Sequence, residues 1–231
     1  MKIALIGYGK MGRLVESIAI ERGHAIVARC ASKSWDMEAL RQADLCIEFS
    51  HPDYVIEHIQ LLASLKKDLI IGTTGWYDKL DQVEAIVAKE KIGALYAPNF
   101  SVGIYLLLEI LNYASALINT HEEYDVAGIE SHHQKKVDAP SGTAQAIARV
   151  IENNIQRVES LPFYSVRCGS IPGTHTILFD SCVDQITITH EARNREGFAK
   201  GAVQAAEWVL GKKGLYTFSD YMQMGCTQSV S

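Results

Sequence analysis

Two features that would point to particular classes of protein are missing from this sequence. The five cysteines are scattered and form no CxxC pair, which argues against a zinc site or a disulfide framework and favours reduced thiols in a cytoplasm. An excess of positive charge is missing as well, since the formal net charge is −5. Overall electrostatics therefore give no support to a nucleic-acid partner, and an anionic ligand would need a local cluster of positive charge.

Long apolar runs are also missing. No stretch approaches the roughly 20 residues that a membrane-spanning helix requires, and the four apolar residues after Lys2 are too few for the core of a signal peptide. Internal repeats and low-complexity segments are not found. We therefore expect a cytoplasmic globular protein with no membrane partner and no nucleic-acid partner.

Short apolar strands alternate with helices through residues 1–103. Strands are predicted at 2–6, 25–30, 44–50, 69–74 and 93–98, with helices at 13–23, 52–66 and 78–91. Such alternation indicates a parallel sheet covered on both faces. The predicted fold is a Rossmann-type, doubly wound α/β sheet.

The pattern changes after residue 103. Helices are predicted at 105–119, 143–155 and 197–211, with Ser141 or Thr143 as the N-cap of the second. A strand at 124–130 and two further runs, 175–181 and 184–191, are strand-like, and the two runs are predicted to form an antiparallel hairpin. Strands grouped together and flanked by helices indicate a smaller α+β domain at 104–201. Residues 1–103 form the first domain, which about 202–231 complete.

The segment GYGKMG fits the dinucleotide-binding pattern GxGxxG. Gly7, Gly9 and Gly12 follow a predicted strand and open a predicted helix, which is the context that gives the pattern meaning. Gly7 permits a tight turn, Gly9 allows the backbone to approach a pyrophosphate, and Gly12 allows close packing of helix on strand. The amides that open the helix then attract the phosphates. The cofactor loop so predicted comprises Gly7, Tyr8, Gly9, Lys10, Met11 and Gly12.

The end of the second strand lacks the acidic residue that commonly binds the ribose 2′-hydroxyl of NAD. Ser32 and Lys33 stand there instead. A hydroxyl and a cation would tolerate a 2′-phosphate, so NADPH is favoured over NADH. The alternative is that Lys33 is an ordinary solvated lysine.

Two further polar turns follow predicted strands of the same sheet. Because ligands of open α/β sheets bind along the carboxyl ends of the strands, both turns are candidates for binding the nicotinamide and its ribose. Their residues are Gly72, Thr73 and Thr74 in one turn and Ala97, Pro98, Asn99 and Phe100 in the other.

The segment ESHHQKKVDAPSGTA (130–144) concentrates groups that titrate or bind anions. His132 and His133 are adjacent on extended backbone and so point to opposite sides, and no further ligand lies at a zinc spacing, so no metal is predicted. Proton transfer near neutral pH suits histidine better, and Lys136 adds a positive charge. The amides of Gly142 and Thr143 at a helix start would bind an anion.

This segment resembles the signature of the 4-hydroxy-tetrahydrodipicolinate reductase family. The resemblance extends to GYGKMG, GTTG, APNFSVG, RCGSIPGTH, ITHEARNREGFAKGA and GLYTFSDYM, which follow the family's order. It implies an oxidoreductase that uses NADPH or NADH to reduce (2S,4S)-4-hydroxy-2,3,4,5-tetrahydrodipicolinate to tetrahydrodipicolinate in the diaminopimelate route to lysine. It also implies a homotetramer assembled through the sheet of the second domain.

The resemblance carries roles onto matching positions. His132 would be the proton donor and acceptor and Lys136 the second proton donor. His133, Gly142 and Thr143 would hold the carboxylates of the substrate. The glycine loop, Gly72–Thr74 and Ala97–Phe100 would bind the nicotinamide cofactor.

Two other interpretations stay open on the residues alone. Another two-domain amino-acid dehydrogenase would share the first half of the chain but not the HHxxKxDxPSGT segment. A non-catalytic NADP-binding sensor, whose second domain contacts a partner protein, would bind the cofactor without turnover.

Overall fold

A computed structural model of the chain describes residues 1–31 and 35–226. The chain divides into two compact units, Met1–Ser101 with Phe198–Ser231, and Val102–Gly197. The sequence predicts these two boundaries at 103/104 and 201/202. Within the described residues, no helix is both long enough and apolar enough to span a bilayer.

The strands, numbered along the chain, are β1 Lys2–Ile6, β2 Ala25–Cys30, β3 Leu45–Glu48, β4 Asp68–Ile71, β5 Gly93–Tyr96, β6 Asp125–His132, β7 Phe163–Arg167, β8 Thr174–Asp180, β9 Gln185–Glu191 and β10 Gly214–Thr217. The α-helices are α1 Lys10–Glu21, α2 Met37–Gln42, α3 Pro52–Ser64, α4 Leu80–Glu90, α5 Val102–Ile118, α6 Gly142–Asn154, α7 Glu196–Val209 and α8 Phe218–Cys226. A single 3₁₀ turn, Tyr77–Lys79, precedes α4.

The first unit is built on one sheet of six strands in the order β10-β5-β4-β3-β1-β2. Every pairing in it is parallel, so the predicted doubly wound fold is confirmed. The central strands β3 and β4 are buried along their whole length, as strands covered on both faces must be. The carboxyl ends of β1, β3, β4 and β5 are neighbours, so the loops that follow them share one edge of the sheet.

The last strand, β10, is fixed in this sheet by a buried carboxylate. Asp68 at the start of β4 is 7% exposed. Its Oδ1 accepts a hydrogen bond from the amide of Gly93 at 2.7 Å, and its Oδ2 accepts one from the amide of Gly211 at 2.7 Å. One side chain thereby holds the start of β5 and the turn before β10 to the same place.

The second unit contains a mixed sheet in the order β7-β6-β8-β9. Strands β6 and β7 are parallel, whereas β6–β8 and β8–β9 are antiparallel. The predicted hairpin is confirmed, since Asp180 pairs with Gln185 across a turn that the Ser181 amide closes on the Asp184 carbonyl at 2.9 Å. Helices α5 and α6 cover one face of the sheet through a cluster of buried apolar side chains: Ile104, Leu107, Leu111, Ile147, Ile151, Ile177 and Phe179.

The helix-covered face of this sheet changes from apolar to polar along β6. Val126, Gly128, Glu130 and His132 alternate with partly exposed residues and are all buried. Val126 lies opposite Phe179 on β8, whereas Glu130 lies opposite His175. The carboxyl end of β6 therefore brings buried polar groups against α6.

The structure corrects several boundaries. The predicted strands 44–50, 69–74 and 93–98 end at Glu48, Ile71 and Tyr96, because their polar ends belong to the loops on the carboxyl edge. Elements α2, β7, β10 and α8 were not predicted. Strands β7 and β10 have 5 and 4 residues, which is too short for periodicity to reveal, and β7 is exposed along its middle.

Candidate active site

The glycine loop of the first unit has the shape that the sequence requires. Gly7 has a φ of +88°, and a Cβ built on it would lie 2.1 Å from the carbonyl oxygen of Phe49. A Cβ on Gly12 would lie 2.3 Å from the Gly7 carbonyl oxygen, whereas a Cβ on Gly9 would meet nothing within 4 Å. Side chains are therefore excluded at the two outer positions by the turn itself, and the backbone at Gly9 faces open space.

Helix α1 begins directly behind this space. Its N-cap is Gly9, which provides no side-chain cap, and its first turn carries no acidic residue. The amides that open α1 are therefore available to an anion. This is the arrangement that a pyrophosphate group needs.

Two cavities adjoin the glycine loop. One has a volume of about 510 Å³ and brings Gly9, Lys10 and Met11 together with Gly72, Thr73 and Thr74. The other, of about 1140 Å³, extends from Gly7, Tyr8 and Gly9 to an aromatic group. That group consists of Trp35, Tyr54 and His58, with the Trp35 and His58 ring centroids 4.7 Å apart.

The remaining predicted cofactor residues differ in position. Among the described residues that line these two cavities, none comes from 97–100. Ala97 and Phe100 are buried, and the Phe100 ring packs edge-on against Phe218 at 5.5 Å, so its side chain belongs to the core. Pro98 is exposed and Asn99 half-buried at the carboxyl end of β5. The predicted residues Ser32 and Lys33 lie outside the described residues.

Tyr8 belongs to a charged cluster on α1 and β2. Its hydroxyl donates to the Glu16 carboxylate, which also pairs with the guanidinium of Arg29. The guanidinium of Arg13 lies 5.5 Å from the Tyr8 ring centroid. Hydrogen bonds from Arg29 and Tyr8 lower the pKa of Glu16, so this carboxylate stays charged and holds both partners in place.

The second unit contains a polar cluster with the fully buried Glu130 at its centre. The residues around it are His132, Ser141, Ser165, Arg167 and His175. Its Oε1 accepts hydrogen bonds from the Ser165 hydroxyl at 2.6 Å, the Arg167 guanidinium at 2.8 Å and the Ser141 amide at 3.1 Å. Burial by itself would raise the pKa of Glu130, but these bonds from Ser141, Ser165 and Arg167 outweigh it and lower the pKa to about 2. Glu130 is therefore a carboxylate with a fixed orientation.

The second oxygen of Glu130 faces two histidines. Its Oε2 lies 3.4 Å from Nδ1 of His132 and 3.7 Å from Nε2 of His175. The two imidazoles meet edge to face, with centroids 5.2 Å apart. Burial lowers the pKa of His132, with the Glu130 charge opposing the effect. Burial, together with the neighbouring His132, lowers the pKa of His175 to about 4, so at neutral pH His175 carries no charge.

A glycine lies beside the other nitrogen of the His132 ring. A Cβ on Gly173, whose φ is +154°, would lie 3.0 Å from Nε2 of His132. The turn before β8 therefore comes close to the imidazole because it carries no side chain there.

Lys136 and His133 lie in the loop that follows β6. The Lys136 ammonium group donates to both carboxylate oxygens of Asp138 at 2.8 Å, and this contact is the main cause that lowers the pKa of Asp138. The loop is fixed by backbone bonds, from the Lys136 amide to the His133 carbonyl at 3.1 Å and from Gln134 to Gly169 at 3.3 Å. The Arg167 guanidinium also donates to the Asp138 carbonyl at 2.7 Å.

Gly142 and Thr143 open helix α6, and Ser141 is its N-cap. The Ser141 hydroxyl accepts from the Ala144 amide at 3.1 Å, which decides between the two predicted caps in favour of Ser141. A Cβ on Gly142 would meet nothing within 4 Å. The first turn of α6 therefore has open space beside Gly142, where an anion could approach.

The tertiary structure also assembles a donor set that the sequence spacing does not reveal. One ligand-type atom from each of Glu130, His132 and His175 lies within 4.8 Å of the other two. His132 thus has a second imidazole in reach, although it is not that of His133. The guanidinium of Arg167 contacts the same carboxylate, and this positive charge opposes a cation at the cluster.

Four residues of this cluster received no role from the sequence: Glu130, Asp138, Arg167 and His175. All belong to segments quoted above, so their chemistry was visible but their proximity was not. The available signal was period-2 placement of polar residues in β6, where Glu130 and His132 fall on the same face as Val126. A polar pair on an apolar face of a strand indicates a buried polar site.

Comparison with known proteins finds similarity to one enzyme family along nearly the whole chain. The family described as "Dihydrodipicolinate reductase, N-terminus" matches residues 1–100, and "Dihydrodipicolinate reductase, C-terminus" matches residues 103–222. The 4-hydroxy-tetrahydrodipicolinate reductase of Christiangramia forsetii is 35% identical over 234 residues, covering 96% of this chain and 98% of the relative. That of Neisseria meningitidis serogroup B is 35% identical over 264 residues, covering 96% and 97%.

Solved structures agree as well. The dipicolinate-bound dihydrodipicolinate reductase from Paenisporosarcina sp. TG-14 superposes with a TM-score of 0.78 at 25% identity, covering 94% of this chain and 97% of that one. A probable dehydrogenase from Thermotoga maritima, at 10% identity and a TM-score of 0.60, shares the fold. With both halves of the family matched and relatives similar along nearly their full length, this chain belongs to the dihydrodipicolinate reductase family.

Proposed function

We propose that this protein catalyses the NAD(P)H-dependent reduction of 4-hydroxy-tetrahydrodipicolinate to tetrahydrodipicolinate, the step for which its curated relatives are named, in the diaminopimelate route to lysine. The observation that carries the proposal is the cluster of the second unit, where a buried imidazole, an ammonium group and an open helix start lie on consecutive parts of one segment. A dinucleotide-type glycine loop in the first unit supports it.

The first unit holds the cofactor. NAD(P)H supplies the hydride. The amides that open α1 would bind its pyrophosphate, because Gly9 leaves them uncovered. Gly72–Thr74 line the same cavity as Gly9 and would bind the nicotinamide half, and Pro98 and Asn99 would contribute from the next strand end. The aromatic group Trp35, Tyr54 and His58 gives the larger cavity apolar walls suited to adenine.

We favour NADPH over NADH as the physiological cofactor. Ser32 and Lys33 replace the acidic residue that would repel a 2′-phosphate, and Arg13 adds positive charge beside Tyr8 at the cavity wall. Steady-state kinetics with both cofactors on one preparation test this preference, which a larger kcat/KM for NADH would contradict.

The second unit holds the dicarboxylate substrate. The amides of Gly142 and Thr143 would bind one carboxylate at the start of α6, and His133 and Lys136 would add hydrogen bonds and positive charge. That the Paenisporosarcina relative was solved with dipicolinate, a planar dicarboxylate, supports this class of ligand.

His132 and Lys136 manage the proton. Reduction places a hydride on one carbon and requires a proton at its neighbour, so a group that titrates near neutrality must lie beside the ring. His132 is buried with its Nδ1 against Glu130, which leaves Nε2 as the atom that exchanges the proton. Lys136, which forms an ion pair with Asp138, would act as the second donor.

Substitution of these two residues tests the mechanism. In His132→Ala and Lys136→Ala, kcat should fall by about 10²–10⁴-fold, while the dissociation constant for NADPH stays unchanged because the glycine loop is untouched. Lys135→Ala is the matched control, since Lys135 is an exposed lysine of the same loop. Near-normal turnover in either variant would remove the role assigned to that residue.

The same assay separates the enzyme from its competitors. Freshly generated 4-hydroxy-tetrahydrodipicolinate should drive NADPH oxidation. A sensor would bind NADPH in a fluorescence titration but show no turnover, and another amino-acid dehydrogenase would turn over an amino acid instead.

We further propose that the protein assembles as a homotetramer through the sheet of the second unit. The face of this sheet that the helices leave uncovered carries apolar side chains on β7, where Tyr164 is 63% exposed and Val166 46%. Such side chains are commonly covered in an assembly. Light scattering on the eluted protein gives the mass, and a monomer at micromolar concentration would contradict the proposal.

We place the protein in the cytoplasm. The described cysteines Cys30, Cys46, Cys168 and Cys182 are free thiols, which a reducing compartment maintains. Fractionation of the native cells with an antibody to the chain tests this location, and recovery from the extracellular fraction would contradict it.

A further inference from the structure

We propose that Glu130 is a positioning residue that fixes the proton of neutral His132 on Nδ1 and, through Ser141, fixes the first turn of α6. One carboxylate would then align the proton-exchanging atom with the amides that bind the substrate. This inference rests on the roles proposed above for His132, Gly142 and Thr143.

The Glu130 carboxylate lies on the helix-covered face of the second unit's sheet. Glu130 pairs with Ser165 on one neighbouring strand and with His175 on the other, and two residues further along His132 pairs with Arg167. The face on which Glu130 lies is apolar at its other end. A buried charge at this position is costly unless it is paired. The hydrogen bonds that pair it come from Ser141, Ser165 and Arg167.

The two carboxylate oxygens of Glu130 have different partners. Oε1 is the acceptor for Ser165 and Arg167, and the Ser141 amide lies between the two oxygens, at 3.1 and 3.2 Å. Oε2 is therefore the oxygen left for an imidazole. Nδ1 of His132 lies 3.4 Å away and is buried, with no hydrogen-bond partner among the described residues. A proton on that nitrogen would lie in a favourable field beside the negative Oε2, whereas a lone pair there would be repelled by it.

His175 does not compete with His132 for Oε2 of Glu130. Nε2 of His175 lies 3.7 Å from the same oxygen but 3.2 Å from the Ser141 hydroxyl. That hydroxyl already accepts from the Ala144 amide, so its own proton is available to Nε2 of His175. Nε2 of His175 is therefore engaged by the Ser141 hydroxyl, its nearer partner, and Oε2 is left to His132.

The other charged groups around His132 are paired with each other or with Glu130. Lys136 and Asp138 from the following loop form a pair with each other, Arg167 from β7 is paired with Glu130, and His175 from β8 is neutral near pH 7. Because Arg167 partly offsets the charge of Glu130, the carboxylate acts on His132 mainly through its nearer oxygen, Oε2, which lies 3.4 Å from Nδ1. The expected effect is therefore on the tautomer of His132.

Glu130 also links the proton donor to the anion site. The Ser141 amide, which donates to Glu130, comes directly before Gly142 and Thr143, and the Ser141 side chain caps the same helix. A carboxylate at a helix start is also favoured by the helix dipole. Movement of Glu130 would therefore displace the imidazole and the two amides together.

The decisive measurement is the ¹⁵N chemical shifts of His132 in the full-length protein, without substrate, at a pH where the ring is neutral. We expect the proton on Nδ1 in the unaltered protein. In Glu130→Gln, the amide oxygen must face the donors Arg167 and Ser165, so the amide NH₂ faces His132. Nδ1 must then accept, and the proton should move to Nε2. Ser165→Ala is the matched control, because it removes a bond to Oε1 and leaves Oε2 unchanged.

Turnover provides the second readout. We expect kcat of Glu130→Gln to fall by about 10²-fold, the cost typical of displaced catalytic geometry, with the dissociation constant for NADPH unchanged. Ser165→Ala should keep the Nδ1 tautomer, and Lys135→Ala, at an exposed residue outside the cluster, should keep the turnover.

The outcomes separate this inference from the proposed function. A proton on Nε2 of His132 in the unaltered protein overturns the role of Glu130, even if Glu130→Gln fails to fold. A folded Glu130→Gln variant with the tautomer and the turnover both unchanged overturns it as well. Full turnover in His132→Ala would instead overturn the role of His132 in the reaction, whichever tautomer is observed.

Discussion

Gly7 and Gly9 lie two residues apart in the same loop, and the structure gives them opposite constraints. The φ of +88° at Gly7 and the Phe49 carbonyl against it exclude any side chain, whereas the surroundings of Gly9 are open. Both glycines were predicted from one motif. The sequence could identify them because a short turn between a strand and a helix has few possible geometries, and each glycine serves one of them.

This contrast gives a prediction at the scale of the residue. Gly7→Ala should lower the free energy of unfolding by about 1–3 kcal/mol, because it forces strained backbone against Phe49. Gly9→Ala should leave stability nearly unchanged but weaken NADPH binding, since the added methyl group occupies the space that the pyrophosphate needs. Thermal denaturation and fluorescence titration measure the two effects, and equal losses of stability would contradict the prediction.

Glu130 is the residue whose importance the sequence did not show. It is the first residue of the signature segment, yet its role follows from the Arg167 guanidinium, which is 37 positions away along the chain and contacts it at 2.8 Å. Such a contact depends on strand pairing, and no local pattern encodes it.

The sheet of the first unit is completed by a short strand from the C-terminal part of the chain. Strand β10 has 4 residues and little sequence signal, but it extends the sheet beside β5 because Asp68 binds the amides of Gly93 and Gly211. Longer elements such as α3 and α5 were predicted from their apolar spacing. The short ones depend on such tertiary contacts.

Asp68→Asn tests this at the scale of the element. An asparagine can accept one of the two hydrogen bonds, but its NH₂ group would face the other amide donor. We expect a loss of about 1–3 kcal/mol in the free energy of unfolding, the cost of a buried donor left without a partner. Asp44→Asn is the matched control, since Asp44 is exposed and accepts from the Lys2 amide at 2.7 Å. Chemical denaturation measures both, and equal effects would contradict the assignment.

The connection between α6 and β7 shows how a short linker is stabilised. Residues 155–162 contain the buried Ile155 and Leu161. The Leu161 amide donates to the Glu152 carboxylate at 2.8 Å, and the Gln156 amide to the Asn119 side chain at 3.0 Å. The segment therefore packs onto the helices.

At the scale of the molecule, the buried histidines of the second unit couple stability to pH. The folded protein holds His175 neutral, with its pKa lowered to about 4 from an ordinary 6.5, whereas the unfolded chain titrates near the ordinary value. Below pH 6.5 the unfolded state binds more protons, so acid favours unfolding. The loss develops between pH 6.5 and about 4. Glu130, whose pKa is lowered to about 2, adds a further loss below its unfolded value.

We therefore expect the free energy of unfolding to fall by about 3 kcal/mol between pH 6.5 and 4 on account of His175. In His175→Gln, which does not titrate, this part of the decline should disappear, while the loss below pH 4.5 from Glu130 remains. Urea denaturation at a series of pH values measures both. An unchanged slope between pH 6.5 and 4 in the variant would contradict the assignment to His175.

The sequence by itself determined the alternation of strands and helices, the glycine turn, the start of α6 near Ser141 and Thr143, and the segment that carries His132 and Lys136. These are local properties, because periodicity, φ preferences and caps act over a few residues. The tertiary structure decided which groups surround that histidine. Strand register brings Ser165, Arg167 and His175 to Glu130 from two neighbouring strands, and a shift by one residue would turn each of them to the opposite face of the sheet.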